Sequence, residues 1–452
     1  MPVKLLPPSV SKFFRPDFWR DPPMRLILSL VILLSLPANP LTAESIAETD
    51  NTDVSSADWP WWRGPNRNGI ASPDQHPPLE WDESRNVLWK AKLTGRGHGS
   101  ATVVGDRIFL ATADNDAKKQ AVVCLEKQTG RQLWETVIHE GGFPDAKDKR
   151  SGGNEKASLA SSTVACDGTF VFINFLNNKA IFTTALTLDG KQMWQTKITN
   201  YVVHQGYGSS PAIYEGLVIV SGDNKGGGAI AGLDRATGKI VWKRERPSKP
   251  NYASPTIVKI NGHDQLLFTG CDLVTSLDPL TGEQLWEFEG ATTECVTTTI
   301  TDGHRIFTSG GYPKNHISAV AADGSGTVVW ENNIRTYVPS MLSKDGLLYA
   351  VMDAGIATCL NSETGKEVWK GRLAGTFSSS PILVGERIYV TNEEGTTFVI
   401  AAGSDGFRKL ATNQLGESVF ATPTICGGRI YTRVAKMEQG MRQEYLYCLG
   451  EK

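Results

Sequence analysis

The chain has 452 residues, which is long enough for several domains or for one large domain built from a repeated unit. Its 46 Lys and Arg residues nearly balance 48 Asp and Glu residues, so the formal net charge of −2 argues against a broad nucleic-acid-binding surface. The 45 glycines and 40% hydrophobic residues are typical of an all-β protein with many tight turns.

The N-terminal segment has the pattern of an export signal. An apolar run over residues 26–36 is followed by Pro37 and then by small residues suited to cleavage. A membrane-spanning helix needs about 20 apolar residues, so this run is too short to be one. We therefore predict a signal segment over residues 1–47, beginning at either Met1 or Met24. The mature chain is expected to be periplasmic or extracellular, without a membrane span.

Tryptophan marks a repeated unit. It recurs at positions 89, 134, 194, 242, 286, 330 and 369, and each copy ends a strand, usually after a Gly-containing turn as in CLNSETGKEVW. Glycine suits these turns because they favour positive φ. The longest interval, before Trp194, contains a polar insertion over residues 139–156. We expect each flat indole ring to fill the wedge between neighbouring units, as in tryptophan-docking repeats.

A second pattern opens each unit. It is rich in Ser, Thr and Pro, and it continues through a short apolar run, a Gly-centred turn and a further strand, as in SPILVGERIYV. Eight copies of this opening occur, and with the two strands that follow they give four strands per unit. Four-stranded units of about 40–45 residues predict an all-β, eight-bladed β-propeller with antiparallel blades.

The two ends of the chain are predicted to close the ring. The eighth unit stops at Leu449 without a Trp strand, whereas the first Trp strand, residues 86–93, has no opening pattern before it. Residues 86–93 should therefore form the outer strand of the last blade, which leaves no open pair of blades. The predicted organisation after the signal segment is a linker and Trp-rich lead-in over residues 48–85 and a propeller over residues 86–449.

The cysteines are predicted to be structural. Their number is seven, no CxxC pair occurs, and this scattered arrangement argues against a disulfide framework. Cys124, Cys359 and Cys448 take the same strand position in three units. Such residues behave as small apolar side chains in a core, so we expect them to be buried.

The Gly-turn and Trp-strand units, with their Ser-Pro openings, resemble the pyrroloquinoline-quinone-like (PQQ-like) propeller repeats over residues 86–449. That family contains quinoprotein alcohol and glucose dehydrogenases. It also contains the non-catalytic scaffold lipoprotein of the outer-membrane β-barrel assembly machine. The segment Trp59–Ile70 is similar to a lead-in of planctomycete family members. Because a shared fold does not carry an activity, the resemblance leaves both kinds of function open.

For an enzyme, the resemblance implies PQQ, a divalent cation such as Ca²⁺ on oxygen ligands, an Asp base and often a vicinal Cys pair. The sequence contains no vicinal Cys pair and no acidic cluster that we could assign to a metal. We therefore predict a monomeric binding or scaffold module for protein partners, without a cofactor and without nucleic acid. The alternative is an alcohol or sugar dehydrogenase that depends on PQQ and Ca²⁺.

The candidate site is the rim of the central channel, because propellers bind ligands and partners with the loops around it. The residue before each innermost strand is expected to line this rim. Comparison of the units gives His98, Tyr207, Tyr252, Tyr337, Phe377 and Phe420, with Leu159 and Cys295 at the remaining two places. Aromatic side chains with few charges suit a stacked ligand or an anchored partner peptide. The alternative is that they only cap the inner ends of the blades.

Overall fold

The computed structural model describes residue 52, residues 54–143, residue 154 and residues 156–452. The predicted signal segment and most of the polar insertion lie outside these described residues. Within the described ranges the regular secondary structure is β-strand, and no helix there could span a bilayer.

The strands form eight antiparallel four-stranded sheets, numbered here as blades 1–8, which confirms the predicted eight-bladed propeller. The first strand, β1 (Val87–Leu93), belongs to the last blade. Blade 1 consists of β2 (Thr102–Val104), β3 (Arg107–Asp114), β4 (Lys119–Glu126) and β5 (Gln132–Glu140). Blade 2 consists of β6 (Ala165–Cys166), β7 (Phe170–Asn177), β8 (Ala180–Thr187) and β9 (Gln192–Asn200). Blade 3 consists of β10 (Ala212–Tyr214), β11 (Leu217–Ser221), β12 (Gly228–Asp234) and β13 (Ile240–Arg246).

The remaining blades repeat this order. Blade 4 consists of β14 (Thr256–Ile260), β15 (His263–Gly270), β16 (Leu273–Leu277) and β17 (Gln284–Glu289). Blade 5 consists of β18 (Ile300–Thr301), β19 (Arg305–Gly310), β20 (His316–Ala321) and β21 (Val328–Asn332). Blade 6 consists of β22 (Leu342–Lys344), β23 (Leu347–Val351), β24 (Ile356–Asn361) and β25 (Glu367–Arg372). Blade 7 consists of β26 (Ile382–Val384), β27 (Arg387–Thr391), β28 (Thr396–Ala401) and β29 (Lys409–Gln414). Blade 8 consists of β30 (Thr424–Cys426), β31 (Arg429–Glu438), β32 (Met441–Leu449) and β1.

Each blade is buried through its middle strands and partly exposed along its outer strand. The middle strands β3 and β4 are buried at almost every position, because neighbouring blades cover both faces of the sheet. The outer strand β5 has mostly exposed and half-buried side chains, and its exposed positions hold Leu133 and Val137 as well as polar residues. All seven cysteines are free and buried, as predicted. Burial of the apolar middle strands therefore makes the core a series of layers between blades.

The tryptophans of the outer strands contact the next blade. The indole N–H groups of Trp89, Trp134, Trp194, Trp242, Trp330 and Trp369 donate hydrogen bonds to backbone carbonyls of the following blade, over 2.8–3.2 Å. Trp242, for example, lies against Gly282, whose φ is +69°. A Cβ atom at this glycine would overlap the indole ring. Glycine thus serves both the turn and the ring that packs on it.

The chain ends close the ring as predicted. Strand β1 pairs antiparallel with β32, so that Trp89 lies opposite Cys448 and Ala91 opposite Leu446. Strand β32 also pairs with β31 along its length. Blade 8 is therefore made from both ends of the propeller.

The two faces of the propeller carry different connections. We call the upper face the one that holds the links between blades and the turns between the second and third strands. On this face Glu294 of one link bridges Tyr312 of such a turn, and Ser418 of another link bridges Ala435 within β31. The lower face holds the tight hairpin turns that follow the innermost strands.

The lead-in, residues 54–85, packs on the lower face. Trp59 forms a bridge with Val103 of blade 1, and Ile70 forms one with Leu383 of blade 7. Between them Arg63 donates a hydrogen bond to the Met341 carbonyl of blade 6. The predicted linker is therefore an ordered part of the propeller from Val54 onward, and its indole rings are buried at Trp59, Trp61 and Trp81.

Candidate functional site

A cavity of about 310 Å³ lies in the centre of the propeller and is lined by the links that precede all eight innermost strands. Cavities that bind small molecules have volumes of about 300–1,000 Å³. The lining includes two residues near the mouth, Asn154 and Lys156, and one from the lead-in, Trp62. Because Trp62 comes from the lower face, its indole lies at the lower end of the cavity.

The links place their side chains in two rings around the channel axis. The upper ring holds the residue four positions before each innermost strand. Its members, all of which line the cavity, are His98, Ser161, Gly208, Tyr252, Val296, Val338, Ser378 and Phe420. The hydroxyl ring lies two residues further along the chain. Its members are Ser100, Thr163, Ser210, Ser254, Thr298, Ser340, Ser380 and Thr422.

The hydroxyl ring joins the blades to one another. The Ser210 backbone N–H donates to the Ser254 hydroxyl over 2.9 Å, and the same bond recurs from Ser340 to Ser380 and from Ser380 to Thr422. Equivalent bonds run from Ser100 to Thr163, from Thr163 to Ser210 and from Thr298 to Ser340. The Thr298 hydroxyl instead accepts the Trp62 indole N–H over 2.7 Å. The lead-in therefore completes this network from below.

Five of the six predicted rim residues line the cavity. The rings of His98 and Phe420 are stacked with centroids 4.5 Å apart. Tyr252 and Tyr337 line the same cavity from other blades, and so does Tyr207, although its hydroxyl is buried on the Ser221 carbonyl. Phe377 does not line it.

Phe377 and Cys295 point into the spaces between blades. The side chain of Phe377 is 1% exposed and packs against Phe398, and Cys295 is fully buried. The next residues, Ser378 and Val296, face the channel instead. Adjacent residues in extended backbone point to opposite sides, so an alignment shifted by one residue selects the wrong side chain.

A polar cluster lies at the mouth on the side of blades 3–5. The Tyr337 hydroxyl donates to Glu294 over 2.8 Å, and the same carboxylate lies 3.2 Å from His204 Nδ1. His204 Nδ1 is also 3.1 Å from the Tyr252 hydroxyl. Burial and the hydrogen bond to Glu294 raise the pKa of Tyr337, so this phenol stays protonated as a donor. The cluster fixes both tyrosine rings at the mouth.

On the opposite side of the mouth, the imidazole of His98 is uncharged near neutral pH. Burial, together with the nearby guanidinium of Arg96, lowers the pKa of His98 well below its usual value. Its Nε2 lies 3.3 Å from Arg96 Nε. Lys156 is the cation that lines the described cavity, and it is paired with Glu393 over 2.6 Å. No Asp or Glu lines this cavity within the described residues.

The sequence did not place Trp62 in the channel, and the hydroxyl ring was missed. The signal for the ring was present, because each unit opening carries Ser or Thr two residues before its innermost strand. That pattern was used only to count units. No sequence signal located Trp62, because its partner Thr298 lies 236 residues away along the chain.

A family model described as the outer membrane protein assembly factor BamB matches residues 79–141, 118–314 and 313–435. The chain belongs to this family. The BamB protein of Bordetella pertussis is 24% identical over 373 residues, which cover 77% of this chain and 86% of that protein. A polyvinylalcohol dehydrogenase of Sphingopyxis sp. is 25% identical over 305 residues, 56% of this chain and 43% of that protein. The chain thus spans less than half of this second relative.

Solved structures share the BamB-family fold. BamB of Moraxella catarrhalis superposes with a TM-score of 0.57 at 14% identity, covering 80% of this chain and 96% of that one. A europium-containing methanol dehydrogenase superposes with a TM-score of 0.64 at 11% identity, covering 88% and 98%. At these identities the likeness concerns the fold alone.

The cavity lining does not fit a calcium-bound quinone. Protein sites for calcium usually include carboxylate oxygens, whereas the side-chain oxygens described in this cavity belong to hydroxyls and to the amides of Asn154 and Gln205. Within the described residues, no three His, Cys, Asp or Glu side chains are grouped to hold a metal ion. The Trp62 indole supplies a flat surface at the lower end of the cavity.

Proposed function

We propose that this protein is an exported, non-catalytic and monomeric propeller that binds a protein partner with its upper face. In this proposal the channel holds no resident PQQ or Ca²⁺, and the rim aromatics contribute to the partner site. Membership of the BamB family supports a scaffold role, because the family model and the Bordetella pertussis relative are both named as an outer membrane protein assembly factor.

One observation carries the proposal: the most exposed large hydrophobic side chains lie on the upper face. Val202 is 52% exposed, Tyr312 and Met437 are each 56% exposed, and Met441 is 68% exposed. Met437 and Met441 flank the turn of the long β31–β32 hairpin. Methionine and tyrosine are adaptable or amphipathic side chains that are frequent in protein-binding surfaces.

The test uses site-specific photocrosslinking in the native host. A photoreactive residue at position 312 or 441 should crosslink one defined protein, and Met437→Glu combined with Met441→Glu should abolish the crosslink from position 312. Met193→Glu is the matched control, because Met193 is 47% exposed but lies on the outer strand β9. Equal crosslinking to the same protein from position 193, or crosslinks unaffected by the double change, would refute the proposal.

A quinone-dependent dehydrogenase is the second candidate, and the similarity to polyvinylalcohol dehydrogenase favours it. Purified protein should be incubated with PQQ and Ca²⁺ and then assayed for saturable quinone absorbance and for dye reduction with alcohols and sugars. The scaffold proposal expects neither signal. Turnover that requires both PQQ and Ca²⁺ would establish the enzyme instead.

A further inference from the structure

We propose that the central cavity binds a neutral saccharide ring, held between the rim aromatics and the free hydroxyl hydrogens of the hydroxyl ring. This site lies in the channel below the exposed upper-face side chains; it shares the rim aromatics with the partner site, but sugar binding does not require the partner. Three features of the cavity support this proposal: the hydrogen-bonding state of the ring, the charge of the lining and the aromatic walls.

The hydroxyl ring is rich in unused donors. Six of its members line the cavity: Thr163, Ser210, Ser254, Ser340, Ser380 and Thr422. Each of these oxygens accepts one backbone N–H from the preceding link. Within the described part of the chain, none of the six donates its own hydrogen to a protein acceptor. A hydroxyl has one donor and two acceptor positions, so each retains an O–H for a ligand.

None of the described residues that line the cavity offers an unpaired charge to an ionic ligand, and Arg96 lies beside His98 without lining the cavity. The carboxylate of Glu393 neutralises Lys156, and burial keeps His98 uncharged near neutral pH. Burying an ion there would remove its hydration without a fixed counter-charge. Neutral ligands with several oxygen acceptors therefore match the lining better than carboxylates or phosphates.

Aromatic surfaces complete the site. The stacked pair His98–Phe420 lies on one side, and Tyr252 and Tyr337 line the cavity from other blades. The Trp62 indole lies at the lower end, with its N–H already bonded to Thr298. A pyranose ring combines an apolar C–H face, which packs on aromatic rings, with a rim of hydroxyls. This chemistry matches both parts of the cavity.

The test is ligand-detected NMR and calorimetry on the full exported protein, with EDTA present and no quinone. The probes are glucose, galactose, methyl α-glucoside, maltose and glucuronate. We expect saturable binding of at least one neutral sugar and none of glucuronate. Preference for the disaccharide or the glycoside over free monosaccharides would point to a glycan end as the natural source.

Three variants, one of them a control, locate the site. Val296→Trp fills the upper ring without removing a hydroxyl and should abolish binding, whereas Val368→Trp on the outer strand β25 should not. Ser254→Ala should weaken binding about fivefold, the effect of one hydrogen bond. Circular dichroism and melting curves check that each variant is folded. Absence of binding by all neutral probes, selective binding of glucuronate, or binding retained in Val296→Trp would overturn the proposal.

Discussion

The contact between Trp242 and its neighbouring blade shows what a single residue contributes to this fold. Its side chain is buried, its ring lies on Gly282, and its indole N–H donates to the Pro279 carbonyl over 3.2 Å. An aromatic ring of this size buries about 150–250 Å², and its N–H needs a partner once water is excluded. The residue therefore joins blade 3 to blade 4 through both packing and a hydrogen bond.

Replacing Trp242 tests the two contributions separately. Trp242→Ala should lower the free energy of unfolding by about 3–5 kcal/mol, because it leaves a cavity. Trp242→Phe should cost less, since it retains most of the apolar ring and loses mainly the hydrogen bond, worth about 1 kcal/mol. Urea unfolding followed by tryptophan-independent circular dichroism measures both. Equal losses for the two variants would show that packing of the ring is not the main contribution.

A half-buried histidine should make the propeller sensitive to acid. Burial against Phe175 and Phe182 lowers the pKa of His139 from 6.5 to about 4. Between these values the unfolded chain binds more protons than the folded one, so stability falls as the pH falls. His139→Leu should therefore reduce the drop in melting temperature between about pH 7 and pH 4.5. His263→Leu, on an exposed position of β15, is the control. An unchanged drop in His139→Leu would refute this assignment.

At the scale of elements, the sequence predicts the strands and turns well. It predicts less well which side chains of the links face the channel. Gly turns and Trp strands locate the blades because they are local patterns. The link before β18 shows the limit, since Val296 rather than Cys295 faces the channel. Links lack the hydrophobic alternation that sets register in a strand, so an aromatic residue such as Phe377 misleads an alignment. The hydroxyl ring was predictable only once its spacing to each strand was known.

The lead-in was harder to predict because its structure depends on distant contacts. Trp59 bridges Val103, and the Trp81 backbone N–H donates to the Asn413 side chain 332 residues away. No local pattern of residues 54–85 specifies these partners. The segment is an element that folds on a surface made by other elements.

This dependence predicts that the lead-in can be detached while the blades persist. Trp59→Ala should cost about 3–5 kcal/mol at this interface and expose residues 54–85 to proteases before the propeller unfolds. Trp62→Ala should have a smaller effect, because Trp62 is only half-buried and faces the cavity. Limited proteolysis with mass spectrometry measures the order of cleavage. Simultaneous loss of lead-in and blades would contradict the prediction.

At the scale of the whole molecule, ring closure is reinforced by a buried ion pair. Arg433 of β31 and Glu444 of β32 are each 2% exposed and lie 2.6 Å apart. Glu444 also accepts the Gly97 backbone N–H, and Arg433 donates to the Ala111 carbonyl of blade 1. The pair therefore connects the closing blade to the first blade, at the joint that pairing of the two chain ends creates.

Breaking only one partner of this pair should be more damaging than replacing both. Glu444→Gln leaves the Arg433 guanidinium buried without a counter-charge and should cost about 3–5 kcal/mol. Combining Arg433→Met with Glu444→Leu removes both charges and should recover part of this loss, because apolar side chains can replace a buried pair. Urea midpoints for the single and double variants decide between these outcomes. A double variant that is less stable than Glu444→Gln would show that closure depends on the hydrogen bonds to Gly97 and Ala111 rather than on charge neutralisation.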